Sequence, residues 1–328
     1  MSDETGPTMR AADRPTDPSA DRPTDRSALE AVHLARWYGN VVAVNDVSFV
    51  VEPGVTGLLG PNGAGKTTVL HMLAGLLRPS AGEVRVEGHA AWQNPAMYRR
   101  VGLVPERDAG YPFLSGLEFV RLNAQLQGLP DPDAAARRAI AMVALEDAAD
   151  RPTGGYSRGM RQRARLAAAL VHDPPVLLLD EPFNGLDPRQ RLDMTDLLQR
   201  MAAEGRVILF SSHILEEVER LGDRVLVMVA GRLAASGGYR DIRRLMTDRP
   251  HTFTIRSSDN RVLAAALLRE GVVLGAQLDG GALELRAADY GAFTRVVARV
   301  AKAAGTSIFE LRPTDESLES VFSYLVAR

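Results

Sequence analysis

Cysteine is absent from the 328 residues. No disulfide can form, and no metal can be held by thiolates. Lysine is nearly absent: it occurs only at Lys66 and Lys302. Long apolar runs are missing too. Val176–Leu179 and Leu226–Ala230 fall far short of the ~18 residues that a membrane span needs. Neither sign of charge is in excess, with 39 basic against 41 acidic residues, a net charge of −2 and a pI of about 6.3. That balance gives no support for a nucleic-acid or anionic-membrane surface. The first residues carry no apolar core of a secretory signal, so a cytoplasmic location is expected. What remains is ordinary for a soluble globular chain, with 45% hydrophobic and 24% charged residues. The length allows one large domain and a smaller one.

Residues 1–28 hold Asp, Arg, Pro and Thr and little that is apolar. Asp13-Arg14-Pro15-Thr16-Asp17 recurs as Asp21-Arg22-Pro23-Thr24-Asp25. Such a segment cannot bury enough surface to offset its ordering entropy, and a disordered tail is expected.

The chain is organised around Gly60-Pro61-Asn62-Gly63-Ala64-Gly65-Lys66-Thr67-Thr68. One of the two lysines stands between Gly65 and Thr67, which argues against a chance glycine-rich turn. The spacing fits a phosphate loop, G-x-x-x-x-G-K-[ST], and so does the context. Val55–Leu59 reads as a buried strand before it. Thr68–Leu77 reads as a helix after it, with Val69, Leu70, Met72, Leu73, Leu76 and Leu77 apolar. Glycines let successive N–H groups point into one concavity, where a phosphate can sit. The helix N-terminus adds partial positive charge there. Lys66 can reach the β- and γ-phosphates, and the Thr67 hydroxyl can hold Mg²⁺.

Pro175–Leu179 is an apolar strand that runs into Asp180-Glu181. A parallel sheet presents ligand groups at that carboxyl edge. Asp180 is placed to bind Mg²⁺, directly or through water, and Glu181 to polarise the attacking water. Without the phosphate loop the pair would read as an acidic turn.

Further elements follow from pattern. Leu29–Leu34 and Val41–Val51 read as strands broken at Tyr38-Gly39-Asn40, with Glu83–Glu87 a third strand after a turn at Gly82. These form an expected antiparallel side sheet. Val101–Pro105 is a buried strand. Ser115 and Glu118 have capping-box spacing ahead of a helix, and Ala134–Leu145 is a second one. Helices are expected at Met160–His172, Gln190–Ala203 and Ile214–Leu221. Val207–Phe210 is a strand, and Arg224–Ala235 a hairpin. After Pro250 the order of elements is β-α-β-β-α-β: strands at His251–Ser257, Val272–Leu278, Leu283–Arg286 and Ser307–Leu311, and helices at Asn260–Glu270 and Tyr290–Ala303. A last helix is expected at Leu318–Val326. The order suggests a small α+β ferredoxin-like module.

These motifs, in this order, resemble the ATP-binding subunit of an ABC transporter over residues 29–247. The resemblance implies an α/β P-loop cassette with an antiparallel side sheet and a helical subdomain. It implies ATP and Mg²⁺ as cofactors. Tyr38 matches the aromatic residue that stacks on adenine. Tyr156-Ser157-Arg158-Gly159-Met160 matches the family signature, with Ser157 and Gly159 in the phosphate-facing positions. Asn184-Gly185-Leu186-Asp187 matches the D-loop, and His213 the switch histidine. Glu106 stands where the family has a glutamine beside the metal. That change, the Arg158 and Met160 substitutions, and Pro313–Phe322 resemble the exporter branch with ABC-2 type permeases.

The resemblance further implies a head-to-tail pair of cassettes. ATP-Mg²⁺ would sit on Lys66, Thr67 and Asp180 of one copy and be covered by Ser157 and Gly159 of the other. An integral membrane permease on a separate chain would be driven by closure of the pair, placing this chain on the inner face of the membrane. The alternative is a soluble ABC ATPase acting on ribosomes or DNA. Residues 250–328 are expected to form an accessory or regulatory domain.

Overall fold

The structure is a computed structural model, and it describes residues 29–106, 111–222, 224–238 and 250–314. The expected N-terminal tail and the helix at Leu318–Val326 lie outside the described residues.

Four short strands carry almost nothing but apolar side chains: β3 (Gly54–Leu59), β6 (Val101–Val104), β7 (Val176–Leu179) and β8 (Val207–Ser212). Continuous apolar strands belong in a parallel sheet covered on both faces. They form one here, with the hairpin β9 (Arg224–Val229) and β10 (Arg232–Gly237). The order is β10-β9-β3-β8-β7-β6, parallel throughout except for β10.

Alternate residues of these strands feed two separate cores. Leu177, Leu179, Ile208 and Phe210 pack on one face. That face is covered by helices α2 (Gly116–Leu126), α3 (Pro132–Met142), α4 (Arg158–Leu170) and α5 (Pro188–Ala203). Leu58, Val176, Leu178 and Leu209 pack on the other. There they meet α1 (Lys66–Leu73) and an antiparallel sheet of order β2-β1-β4-β5, made of β1 (Leu29–Tyr38), β2 (Val41–Val51), β4 (Ala81–Val86) and β5 (His89–Ala90).

The expected elements are present with shifted ends. The first strand runs on to Tyr38, and Gly82 lies inside β4 instead of before it. Helix α1 stops at Leu73 and does not reach Leu77, because Gly75 takes the left-handed conformation (φ 70°) and leaves Leu76 57% exposed. Helix α3 ends at Met142, before Ala144 turns left-handed. The Ser115–Glu118 capping box at the start of α2 forms as its spacing predicts.

Residues 251–313 form a second sheet with its own core. The strands are β11 (His251–Ser257), β12 (Gly275–Asp279), β13 (Ala282–Ala287) and β14 (Ile308–Pro313), in the order β12-β13-β11-β14 and antiparallel throughout. Helices α7 (Asn260–Arg269) and α8 (Tyr290–Ala303) bury Leu263, Leu267, Phe293 and Val297 against Phe253, Ile255, Leu283 and Leu285. The second strand starts at Gly275, three residues later than expected. Val273 is buried, but it belongs to the irregular segment before the strand.

Candidate functional site

The carboxyl edge of the parallel sheet opens on a cavity of about 450 Å³. It is lined by Asn62, Gly63, Gly65, Lys66, Thr67 and Thr68 of the phosphate loop, by Glu106 after β6, by Glu181 and Asn184 after β7, by His213 after β8, and by Ala43. Asn62 and His213, far apart in sequence, thus share one wall, because the four strands end side by side.

The loop owes its path to Gly65. Its φ is 97°, and a Cβ there would lie 2.5 Å from the Ala43 carbonyl oxygen. Any other residue would be strained and would strike fixed backbone. Lys66 opens α1, and its Nζ donates to Gly60 O at 2.7 Å and Pro61 O at 3.3 Å. The same Nζ lies 3.6 Å from Glu181 Oε1, both side chains being almost fully buried.

Glu181 adopts a left-handed backbone, φ 48°, which a residue with a side chain takes up only when its surroundings enforce it. The enforcement is visible. Its N–H donates to Ser211 Oγ at 2.9 Å, its Oε2 lies 3.0 Å from His213 Nδ1, and its Oε1 faces Lys66. Asp180, beside it, is 1% exposed. Its Oδ1 accepts from Ser211 Oγ at 2.6 Å, while Oδ2 has no hydrogen-bond partner. A buried carboxylate oxygen without a donor is expensive, and a bound cation relieves that cost. Thr67 and Glu106 line the cavity, and Asp180, not itself on the wall, adjoins Glu181, which is; the donors are hard oxygens of the kind that suit Mg²⁺.

Several predicted residues stand elsewhere. Tyr38 lies at the end of β1, 48% exposed, with the Arg36 guanidinium stacked 4.5 Å from its ring centroid. Ala64 is buried under the loop, and Gly60 and Pro61 do not line the cavity. Ser157 caps α4 by accepting the Met160 N–H. Gly159 is buried against Gln190, whose Oε1 would lie 2.3 Å from a Cβ. Asp187 caps α5 in a box with Gln190 and does not line the cavity, whereas Asn184 does. The signature and the D-loop are therefore neighbours within one chain, with Arg158 packed over Gly185.

Three contributors were not foreseen. Ser211 holds both acids. Arg165 of α4 donates to Pro105 O at 2.9 Å and Glu106 O at 3.2 Å, fixing the segment that carries Glu106. Ser212 accepts, at its carbonyl, the N–H of Gly60 that opens the phosphate loop. The one sequence signal for the serines is polarity: Ser211-Ser212 closes an otherwise apolar, fully buried strand.

Comparison with known proteins places this geometry. A family model described as ABC transporter matches residues 44–184. The ABC transporter ATP-binding protein YxlF of Bacillus subtilis is 35% identical over 226 residues, which are 68% of this chain and 75% of the relative. The Nod factor export ATP-binding protein I of Burkholderia orbicola is 43% identical over 62% of this chain and 69% of its own. A solved ATP-binding subunit of an ABC transporter superposes with a TM-score of 0.61 and 32% identity, covering 66% of this chain and 92% of that one. The chain therefore belongs to the ATP-binding proteins of ABC transporters, and as a member of that family it is an ATPase.

Proposed function

We propose that this ATPase works as a head-to-tail pair of cassettes that closes on ATP-Mg²⁺ and drives export through a separate membrane permease. The observation that carries the reading is the Glu181 carboxylate. It is clamped between Lys66 and His213 at the mouth of the phosphate loop. In this reading Lys66 and the loop N–H groups bind the phosphates, and Glu181 takes the proton of the attacking water. His213 holds Glu181 and senses the γ-phosphate. Thr67, Asp180 and Glu106 would hold Mg²⁺, which neutralises charge developing on the phosphates. Tyr38 would stack on adenine. Ser157, Gly159 and Asp187 would face the nucleotide of the partner copy.

Transport is supported by the family, and export by the similarity to the Nod factor export protein. Among the described residues no helix is long and apolar enough to cross a membrane, so the permease is a separate polypeptide in this reading. A groove of about 460 Å³ between α2, β6 and α4 suits its cytoplasmic loop. Leu76, Tyr98, Phe119, Leu122 and Leu126 give it apolar walls. The Glu106 and Arg158 substitutions support an ABC-2 type permease. The antiparallel order β12-β13-β11-β14 with two helices on one face supports a ferredoxin-like accessory module at residues 251–313.

The test is the Glu181→Gln variant. It should bind ATP as tightly as the parent and hydrolyse it about 10²–10⁴-fold more slowly, the span of general-base catalysis. Parent-like steady-state hydrolysis would remove the base assignment. Copurification with a polytopic membrane protein tests the transport partner.

A further inference from the structure

His213 does not hold its place alone. The residue before it, Ser212, is fully buried at the end of β8. Its hydroxyl accepts the Ile214 N–H at 2.9 Å and has one proton to give. The short contact, 2.6 Å, is to Glu217 Oε2, while Ile214 O lies at 3.3 Å. Glu217 stands on α6 (Leu215–Leu221), with its side chain only 9% exposed. Its second oxygen has no hydrogen-bond donor, but it faces Arg191 Nη1 of α5 at 3.5 Å. The same guanidinium donates through Nε to Leu186 O at 3.2 Å, inside the turn Asn184–Asp187. One line of contacts therefore runs from the D-loop turn through Arg191, Glu217 and Ser212 to the backbone of His213.

Burial pushes the Glu217 carboxyl above its ordinary value, and the Ser212 hydroxyl and the Arg191 guanidinium pull it back. Glu181 raises it further, and His213 lowers it. An acid that merely filled space beside β8 would be better replaced by an apolar side chain. Retained here, it fixes two groups at once and shares the electrostatic field of the catalytic pair.

We infer that Glu217 is a positioning residue for hydrolysis: it takes the Ser212 hydroxyl and the Arg191 guanidinium together and so sets His213 against the D-loop turn. The inference rests on the assignment of Glu181 and His213 given above. Its consequence is a coupling. A cassette partner that shifts the Leu186 turn also shifts the imidazole on Glu181. A group that must be held within about 0.5 Å is sensitive to such a shift.

The experiment uses the full-length chain with ATP and Mg²⁺. It compares Glu217→Gln, Ser212→Ala, their double variant and Glu181→Gln. Turnover, ATP affinity by titration, and thermal midpoint are read separately. Each single variant should lose on the order of tenfold in kcat, within the 10²-fold that a 1 Å misplacement can cost, with ATP affinity held and any fall in midpoint too small to account for the lost turnover at the assay temperature. The double variant should lose no more than the worse single one, because both break one link. Parent-like kcat in Glu217→Gln overturns the inference, and so does a double loss equal to the product of the singles. A fall in midpoint that accounts for the lost turnover also overturns it. Arg191→Gln, at a part-exposed site, repeats the test should either buried variant fail to fold. If Glu181→Gln itself turns over normally, the catalytic assignment fails. If Glu181→Gln is dead while Glu217→Gln is not, only the present inference fails.

Discussion

The hydroxyl of Ser211 stands between the two acids that follow β7, giving its proton to Asp180 Oδ1 at 2.6 Å and taking the Glu181 N–H at 2.9 Å. Both acids follow one strand, and the serine comes from the next. The cross-strand pair does what the parallel ladder alone cannot: it orients an acid that is 1% exposed and stabilises a left-handed turn at its neighbour.

Removing that hydroxyl is the first test. Ser211→Ala leaves Asp180 Oδ1 buried without a donor, at a cost of about 1–3 kcal/mol. In a chain of this size that lowers the thermal midpoint by roughly 2–4 °C per kcal/mol. Turnover should fall further than stability accounts for, since Glu181 loses its backbone anchor. Calorimetry beside steady-state phosphate release checks both, and an unchanged midpoint would show that the contact adds nothing to stability.

Tyr38 gives the second. The Arg36 guanidinium covers one side of the ring and is itself tied to Arg78 O at 3.1 Å. A ring held from one side is preorganised for stacking on the other. Tyr38→Ala should weaken ATP binding by about 1–3 kcal/mol, the worth of one base on an aromatic platform. Inorganic tripolyphosphate, which has no base, should bind as before. Trp37 points to the other face of β1, opposite Val42, so Trp37→Ala should leave ATP affinity unchanged. Isothermal titration of both ligands against both variants decides which aromatic is used.

Arg165 supplies a third. Two donations from one guanidinium group fix the carbonyls of Pro105 and Glu106, and charged donors make the stronger hydrogen bonds. Arg165→Met should free the Glu106 segment. The Mg²⁺ concentration for half-maximal turnover should then rise several-fold, on the order of 1 kcal/mol. Binding of ATP without metal should not change. A Mg²⁺ titration of the ATPase rate reads this directly, and an unshifted curve would separate Glu106 from the metal.

Much of this site could be read from residue order because its chemistry is local. Gly60–Thr68 forms a strand-to-helix turn whatever surrounds it, and Lys66 can only point where that turn sends it. The apolar runs at Val55–Leu59, Val176–Leu179 and Val207–Phe210 are buried on both faces, so their type was clear. What stayed hidden depends on register between strands distant in sequence. Ser211 reaches Asp180 only because β8 pairs with β7 with Leu179 opposite Phe210. Nothing in either segment alone states that pairing. Gly159 is a similar case: its motif position implies a phosphate, whereas its packing against Gln190 depends on how α4 meets α5. The overlong reading of α1 has a local cause, since Leu76 and Leu77 keep helical spacing past a glycine that ends the helix.

The last prediction concerns His172, which lies on the groove between α2 and α4. Burial holds its imidazole below the ordinary histidine value. The folded chain therefore resists a proton that the unfolded chain accepts. Near and below the unfolded value, about 6.5, the unfolded state binds more protons, so stability falls as pH falls. Above that value the histidine is neutral in both states and the penalty is absent. The difference in thermal midpoint between the parent and His172→Gln should thus be flat from pH 8 to 7 and turn against the parent toward pH 5. A difference that stays flat across the range would mean the ring titrates as freely as in the unfolded chain. If the permease seats in this groove as proposed, the same proton bears on its binding. A partner seated in the groove buries His172 further and disfavours its charged form still more. Acidification should therefore weaken permease binding by the parent more than by His172→Gln, measurable as co-elution across that pH range. Equal weakening of both would place the permease away from this groove.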